Sequence, residues 1–280
     1  MADAPPPIIA PAPAPSATAA AIAKAVQPAA ATTIHTSADG LSAGWSTVDV
    51  DGGKLPVYFA KPTGAGPFPV VIVVQEVFGV HEHIADIARR FAKLGYLAVA
   101  PELYFRLGDP KQAPDIDTLR RDFVSKTPDA QVLADLDRTV EWASTQAGDT
   151  SRLGLTGFCW GGRITWLYAA HQPKLKAAVA WYGRLTGDKT ANSPAHPVDL
   201  AAALKAPVLG LYGGQDQGIP LTAVEAQRAA LAAAKAPSEI VVYPDAPHAF
   251  YADYRPSYRA EAAADGWKRL LAWFAANGVK

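Results

Sequence analysis

The segment "GFCWGG", residues 157–162, contains the only cysteine among the 280 residues of the chain. It directly follows the apolar run 153–156 and precedes a stretch with helical character, so the thiol is expected at a strand-to-helix turn. A nucleophile in such a turn needs a glycine two residues away on each side, because a Cβ there would collide with the strand or the helix. Gly157 and Gly161 meet this need, and the positive end of a helix dipole favours a thiolate. The pattern predicts that Cys159 is a nucleophile; the alternative is a buried packing residue.

Two later side chains complete an order of nucleophile, acid and base along the chain. Asp216 follows the apolar run 208–212, and His248 follows the run 240–243. His248 could accept the thiol proton, and Asp216 could hold the imidazole in the correct tautomer and stabilise its charged form. Asp245 is the alternative acid, on the same short loop as His248.

Acyl transfer also requires N–H donors for the oxyanion that develops on the substrate. The turn predicts the backbone N–H of Trp160 as one donor, and the loop after the apolar run 69–74 supplies that of Val77 as the second. Glu76 lies in the same loop, at the end of a fully apolar strand, where an unpartnered carboxylate is costly. It is either hydrogen-bonded structurally or acts on the site, and we favour the second interpretation.

Strand-like apolar runs alternate with helix-like stretches from residue 45 onward, with 45–61 as an opening hairpin. The predicted strands are 45–50, 55–61, 69–74, 97–100, 153–156, 177–182, 208–212 and 240–243, and the predicted helices are 82–94, 129–146, 160–171, 221–234 and 258–276. Strands separated by single helices indicate parallel pairing with helices on both faces of the sheet. We therefore expect an α/β fold with a mostly parallel sheet, 69–74 near its centre and no large cap domain. Ligands of such sheets bind beyond the carboxyl ends of the strands.

The composition argues against several classes of protein. Lys plus Arg equals Asp plus Glu at 26 each, so no global field attracts nucleic acid or an anionic membrane. No apolar run approaches the roughly 18 residues that span a bilayer. A single cysteine cannot form an internal disulfide, and His81 and His83 at a predicted helix start do not share one face, which argues against a metal site. We expect no metal or cofactor, a small-molecule substrate as partner, and a monomer or small homo-oligomer.

The first 39 residues differ in composition from the rest of the chain. They are rich in Ala and Pro, which predicts a flexible tail or the remnant of a leader. Residues 15–32 resemble the end of an export signal, but Lys24 interrupts the apolar part and no basic segment precedes it. The compartment is therefore left open between the cytoplasm and export. Residues 40–280 contain no second linker and no repeat, so we predict one domain there.

Five segments carry a resemblance to a known family over about residues 70–270: "QEVFGVHEH", "GYLAVAPELY", "GFCWGG", "YGGQD" and "HAF". In this order they resemble the dienelactone hydrolase family of the α/β-hydrolase superfamily, whose members are also called carboxymethylenebutenolidases. The resemblance implies a triad of Cys159, His248 and Asp216. It also implies that Glu76 pairs with the resting cysteine until substrate displaces it, and that Val77 and Trp160 form the oxyanion hole.

The chain departs from this family at the expected substrate-binding arginines. One of them lies four residues after the catalytic histidine in the best-known member, and Ala252 occupies that position here. Another lies in the segment after "PELY", where Arg106, Arg120 and Arg121 are the candidates. Arg163 and Arg184 could bind an anionic group or lie at the solvated rim of the site. The side chains predicted to contact substrate are Phe78, Tyr104, Arg106, Arg163, Tyr182, Phe250 and Tyr251.

The sequence thus predicts a hydrolase that cleaves a lactone or carboxylic ester through a thioester acyl-enzyme. Two alternatives stay open. The first is a general carboxylesterase of relaxed specificity, and the second is a non-catalytic ligand-binding protein with the same fold.

Overall fold

The computed structural model describes residues 21–27 and 31–280. The beginning of the export-like segment at 15–32 and most of the predicted tail lie outside these ranges. Within the tail, Ala21–Ala25 forms a short helix, α1, and Ile22 and Val26 are buried in the hydrophobic core. Val26 directly follows α1, and its N–H donates to the carbonyl of Ile22 at 3.2 Å, so the two side chains lie on the same side of the segment and pack against the domain.

Eight strands of the described chain form one sheet in the order β1-β2-β4-β3-β5-β6-β7-β8. Their bounds are β1 Leu41–Val50, β2 Gly53–Pro62, β3 Phe68–Val74, β4 Leu97–Pro101, β5 Gly148–Phe158, β6 Ala177–Trp181, β7 Val208–Gly213 and β8 Glu239–Tyr243. The opening hairpin β1-β2 is antiparallel, β2 also pairs antiparallel with β4, and the pairs from β4 through β8 are parallel. The predicted mostly parallel sheet is confirmed.

The helices lie on both faces of the sheet and agree with the predictions, apart from α1 and one other short helix. Their bounds are α2 Glu82–Lys93, α3 Ile116–Asp122, α4 Asp129–Thr145, α5 Trp160–His171, α6 Leu221–Ala234 and α7 Ala260–Ala276. The short helix α3 was not predicted, because it lies in a segment rich in Pro and Asp. Asp115 caps it, since its side chain accepts a hydrogen bond of 2.7 Å from the N–H of Thr118.

The strand β3 lies in the middle of the sheet and has no exposed side chain between Val70 and Val74. Such complete burial explains its unbroken apolar sequence. Its parallel neighbours end at the same edge, so the loops that follow β3, β5, β7 and β8 meet there. No helix in the described ranges combines the length and the apolar character that crossing a membrane requires.

Candidate active site

Cys159 lies between β5 and α5 with φ +56° and ψ −113°. This is a strained conformation for a residue with a Cβ, and such strain is concentrated at functional sites. A Cβ on Gly157 would lie 2.2 Å from the carbonyl oxygen of Gly161, and a Cβ on Gly161 would lie 2.4 Å from that of Gln75. The turn therefore requires both glycines, and it leaves the Cys159 side chain half-buried rather than sealed in the core.

His248 joins the thiol to Asp216. Its Nε2 lies 3.2 Å from Sγ of Cys159, and its Nδ1 lies 2.6 Å from Oδ2 of Asp216. The Asp216 side chain is 1% exposed, and its Oδ1 accepts hydrogen bonds from the N–H groups of Gly218 and Ile219 at 2.9 and 3.1 Å. These bonds fix the carboxylate against the imidazole. Asp245, the alternative acid, is exposed to solvent.

The pKa of the His248 imidazole depends on both of its neighbours, Cys159 and Asp216. Burial alone would lower the pKa of His248, but the charge of a Cys159 thiolate, the hydrogen bonds to Asp216 and Cys159, and the charge of Asp216 together raise it to about 10. The contacts with Cys159 and Asp216 therefore favour the protonated form of His248. The arrangement can hold a thiolate ready for attack and supply a proton afterwards.

The two N–H groups predicted to bind an oxyanion belong to Val77, in the loop after β3, and Trp160, the first residue of α5. The N–H of a first helical residue has no acceptor within its own helix. Across the parts of the chain that the structure describes, neither N–H donates to another backbone group. Both are therefore available to a substrate oxygen.

Glu76 is held by partners other than the thiol. Its Oε2 accepts a hydrogen bond of 2.7 Å from the Tyr254 hydroxyl and lies 3.2 Å from Nε2 of His81. The family resemblance implied a pair of Glu76 with the resting cysteine, but here Cys159 is hydrogen-bonded to His248. The pairing with Tyr254 and His81 accounts for the difference, since it gives the buried carboxylate two donors away from the sulfur.

The charge state of this buried pair follows from its contacts. Burial opposes ionisation of Glu76, but the hydrogen bond and charge of His81, with the charges of His83 and Arg255, lower the pKa of the carboxyl. Burial lowers the pKa of His81, although Glu76 acts in the opposite direction. The contacts therefore favour an ionised Glu76, whose Oε2 accepts a hydrogen bond from Nε2 of His81.

The histidines at the start of α2 have structural partners. His83 Nδ1 lies 3.2 Å from Oδ1 of Asp253, whose other oxygen pairs with Arg90 at 2.5 Å. Sequence reasoning did not assign His81 or Tyr254 to the site. Tyr254 is separated from Glu76 by 178 positions, and no spacing pattern connects them.

Two of the predicted substrate contacts, Arg106 and Arg163, are paired with acidic side chains in this structure. Arg106 donates to both oxygens of Asp135 at 2.7 and 2.9 Å and also to the carbonyl of Asp51. Arg163 donates to both oxygens of Asp129 at 2.7 Å, in a pair whose side chains are 7% and 8% exposed. Neither guanidinium is free to bind an anionic substrate, and Arg163 does not lie at a solvated rim.

The predicted aromatic contacts divide into two groups. Phe250 and Tyr251 belong to the core: both rings pack on Trp181, at 5.9 and 4.4 Å between ring centroids. Phe78, Tyr104 and Tyr182 lie around the reacting groups. Phe78 directly follows Val77, and the Tyr104 and Tyr182 rings lie 4.9 Å from Trp160 and 5.2 Å from His248 respectively.

The buried pair of Arg163 and Asp129 joins α5, directly after the turn, to the start of α4. We expect Arg163→Met to lower the free energy of unfolding by about 3–5 kcal/mol, because it leaves a buried carboxylate without its partner. Urea denaturation measures this loss. Arg120→Met is the matched control, since Arg120 and Asp117 are 66% and 87% exposed, and it is expected to cost less than about 1 kcal/mol. Equal losses of stability in the two variants would contradict a stabilising role for the buried pair of Arg163 and Asp129.

Comparisons with known proteins agree with this geometry. The model of the dienelactone hydrolase family matches residues 55–278. The chain is 61% identical over 259 residues to an Escherichia coli K12 protein provisionally named a carboxymethylenebutenolidase, with 92% of this chain and 96% of that protein covered. A crystal structure from Klebsiella pneumoniae, provisionally named a dienelactone hydrolase, is 63% identical with a TM-score of 0.83, and the match covers 84% of this chain and 98% of that one.

A more distant structure shows the fold alone. The acylaminoacyl peptidase of Pyrococcus horikoshii is 17% identical with a TM-score of 0.68, and the match covers 86% of this chain and 42% of that one. The two classes of match support an α/β-hydrolase fold. This chain belongs to the dienelactone hydrolase family and is a hydrolase that acts on ester or lactone bonds.

Proposed function

We propose that the chain hydrolyses a lactone or carboxylic ester through a Cys-His-Asp triad and a thioester acyl-enzyme. The observation that supports this most directly is the continuous series of contacts from Sγ of Cys159 through His248 to Asp216, at 3.2 and 2.6 Å. The half-buried sulfur lies at the start of a helix, where a substrate can reach it and where the helix dipole favours a thiolate.

In the first half of the reaction, the Cys159 thiolate, whose proton His248 holds, attacks the carbonyl carbon. The N–H groups of Val77 and Trp160 stabilise the negative oxygen of the tetrahedral intermediate. The C–O bond to the leaving group then breaks, and protonated His248 gives its proton to the departing oxygen. In a lactone that oxygen remains tethered to the acyl group, so the product of this half is a ring-opened thioester.

In the second half, neutral His248 accepts a proton from water, and the resulting hydroxide attacks the thioester carbon. The C–S bond breaks, the acid product leaves, and the thiolate pairs again with the imidazolium. Asp216 holds Nδ1–H throughout and stabilises the charged ring. Since a thiolate is expelled readily, activated aryl esters and thioesters are expected to react faster than amides.

Glu76 has a different place in this proposal from the one that the resemblance implied. Because Cys159 already contacts His248, activation of the thiol needs no displacement of Glu76. The carboxylate is instead retained by Tyr254 and His81 as a fixed charge at the end of β3. Ala252 is fully buried and presents no cation where the family's best-known member has an arginine.

Trapping the intermediate tests the thioester directly. Wild-type enzyme mixed with p-nitrophenyl acetate and quenched in acid within its first turnovers is expected to carry one acetyl group on the peptide that contains Cys159. Hydroxylamine should remove it, and the initial burst of p-nitrophenol should equal the enzyme concentration. The Cys159→Ser variant provides the comparison, because its oxygen ester should resist mild hydroxylamine. An acetyl group on another residue, with none on Cys159, would reject the mechanism.

A further inference from the structure

Two buried tyrosine hydroxyls near the nucleophile make no hydrogen bond. Tyr104 and Tyr182 are both 0% exposed, and within residues 21–27 and 31–280 neither hydroxyl has a partner. Other buried tyrosines of the chain do have one: the Tyr168 hydroxyl binds Asp137 at 3.0 Å, and that of Tyr212 binds Trp166 at 3.0 Å. A buried hydroxyl without a partner costs about 1–3 kcal/mol, so two of them beside one site require an explanation.

Tyr182 is placed at the site by its backbone and its ring. It directly follows β6, and its φ of +37° is strained for a residue with a side chain. Its ring meets that of His248 edge to face at 5.2 Å. Burial raises the pKa of its hydroxyl, and the charges of Glu76, Cys159, Tyr254 and Tyr251 act in the same direction.

Tyr104 approaches the thiol from another strand. It follows β4, and its ring lies 4.9 Å from that of Trp160, the residue after the nucleophile. After burial, the charges of Cys159 and Glu102 raise the pKa of its hydroxyl. The two tyrosine rings therefore pack at the site from two different strands, one against His248 and the other against Trp160.

The chemistry of the two tyrosine hydroxyls determines which kind of atom can serve as their hydrogen-bond partner. A phenol with a raised pKa stays neutral at any working pH and acts as a hydrogen-bond donor. The site offers donors of this kind without a free guanidinium from Arg106 or Arg163, which pair with Asp135 and Asp129. Such donors bind carbonyl, ether or carboxylate oxygens. Beside an alkyl chain they would have no acceptor.

We propose that the hydroxyls of Tyr104 and Tyr182 donate hydrogen bonds to oxygen atoms of the substrate other than the scissile carbonyl oxygen. The substrate class is then an ester or lactone whose acyl part carries an oxo or ether oxygen close to the reacting carbon, rather than a plain alkyl ester. This inference rests on the proposed function, since it assigns the substrate of that same site. It makes the two tyrosines determinants of specificity.

Matched substrates test it. The first pair is p-nitrophenyl methoxyacetate and p-nitrophenyl butanoate, which differ by an ether oxygen in place of a methylene. The second is p-nitrophenyl levulinate and p-nitrophenyl isocaproate, which differ by a carbonyl in place of a branched carbon. The values of kcat/KM are measured for the wild type, Tyr104→Phe, Tyr182→Phe and the control Tyr168→Phe. The ratio of variant to wild type is taken for each substrate, so that intrinsic differences in reactivity cancel.

For at least one pair, each active-site variant is expected to lose about tenfold or more on the oxygenated ester and less than about threefold on its alkyl counterpart. For Tyr168→Phe, the ratio of kcat/KM to the wild-type value should be the same for both esters of each pair. The inference is overturned if Tyr104→Phe and Tyr182→Phe also change both members alike, or change neither, while the wild type is active. Failure of the proposed function would give a different result, because the wild type would then hydrolyse none of the four esters.

Discussion

Replacing Cys159 by alanine is expected to lower kcat/KM for p-nitrophenyl acetate by about ten-thousand-fold or more. Removal of a nucleophile that acts together with its base eliminates the covalent route and leaves only the contributions of binding and the oxyanion hole. The side chain is small and half-buried, so the fold should tolerate the change. Initial rates measured over a range of substrate concentrations give the effect.

Two controls make this result interpretable. A thermal unfolding curve of Cys159→Ala close to that of the wild type shows that the loss is not one of folding. Cys159→Ser keeps a nucleophile on the same turn and is expected to retain more activity than the alanine variant, because His248 can still remove its proton. A fully active alanine variant would mean that the thiol takes no part in the reaction.

Asp216→Asn is expected to reduce kcat/KM by about a thousand-fold or more. The amide cannot stabilise a protonated imidazole, and it can hold the ring in the wrong tautomer. Asp245→Asn is the matched control, because Asp245 lies on the same loop as His248 and is exposed to solvent. Its activity should stay within about twofold of the wild type. A large loss in Asp245→Asn with a small one in Asp216→Asn would exchange the roles of the two acids.

The substitution Asp216→Asn should also change the pKa of His248, which is measured independently of the reaction rate. Burial lowers the pKa of His248, but the charge of Cys159 and the hydrogen bonds to Asp216 and Cys159, together with the charge of Asp216, raise it to about 10. Loss of that charge favours the neutral ring, so the pKa should fall in Asp216→Asn. NMR titration of the histidine ring protons in both proteins measures the shift, and an unchanged pKa would show that the carboxylate does not act on the ring.

The elements that position the site were predictable where local rules determine them. The turn around Cys159 follows from glycine spacing, and α5 begins and ends at the predicted residues 160 and 171. The strand β5 begins five residues before the predicted start at 153, because its polar first part pairs with β3 through an irregular register. That pairing is a tertiary effect, and the residues 148–152 show no apolar pattern that could reveal it.

The partners of charged side chains were predictable to a lesser extent. Arg163 was assigned to the substrate or the rim because it directly follows the turn, but Asp129 binds it from 34 positions away. Glu76 depends likewise on Tyr254, which another loop supplies. Long side chains are bound by whatever acid or donor the packing of helices brings near, and sequence spacing carries no information about that.

The steric demands at Gly157 and Gly161 have a consequence for how this enzyme can change. Any side chain at either position would meet backbone atoms that cannot move aside, whereas the side chain of residue 159 is half-buried and its tip contacts the side chain of His248. Libraries that exchange the reacting group while keeping its two flanking glycines should therefore yield folded proteins with altered chemistry. Libraries that vary those glycines should yield few folded members at all.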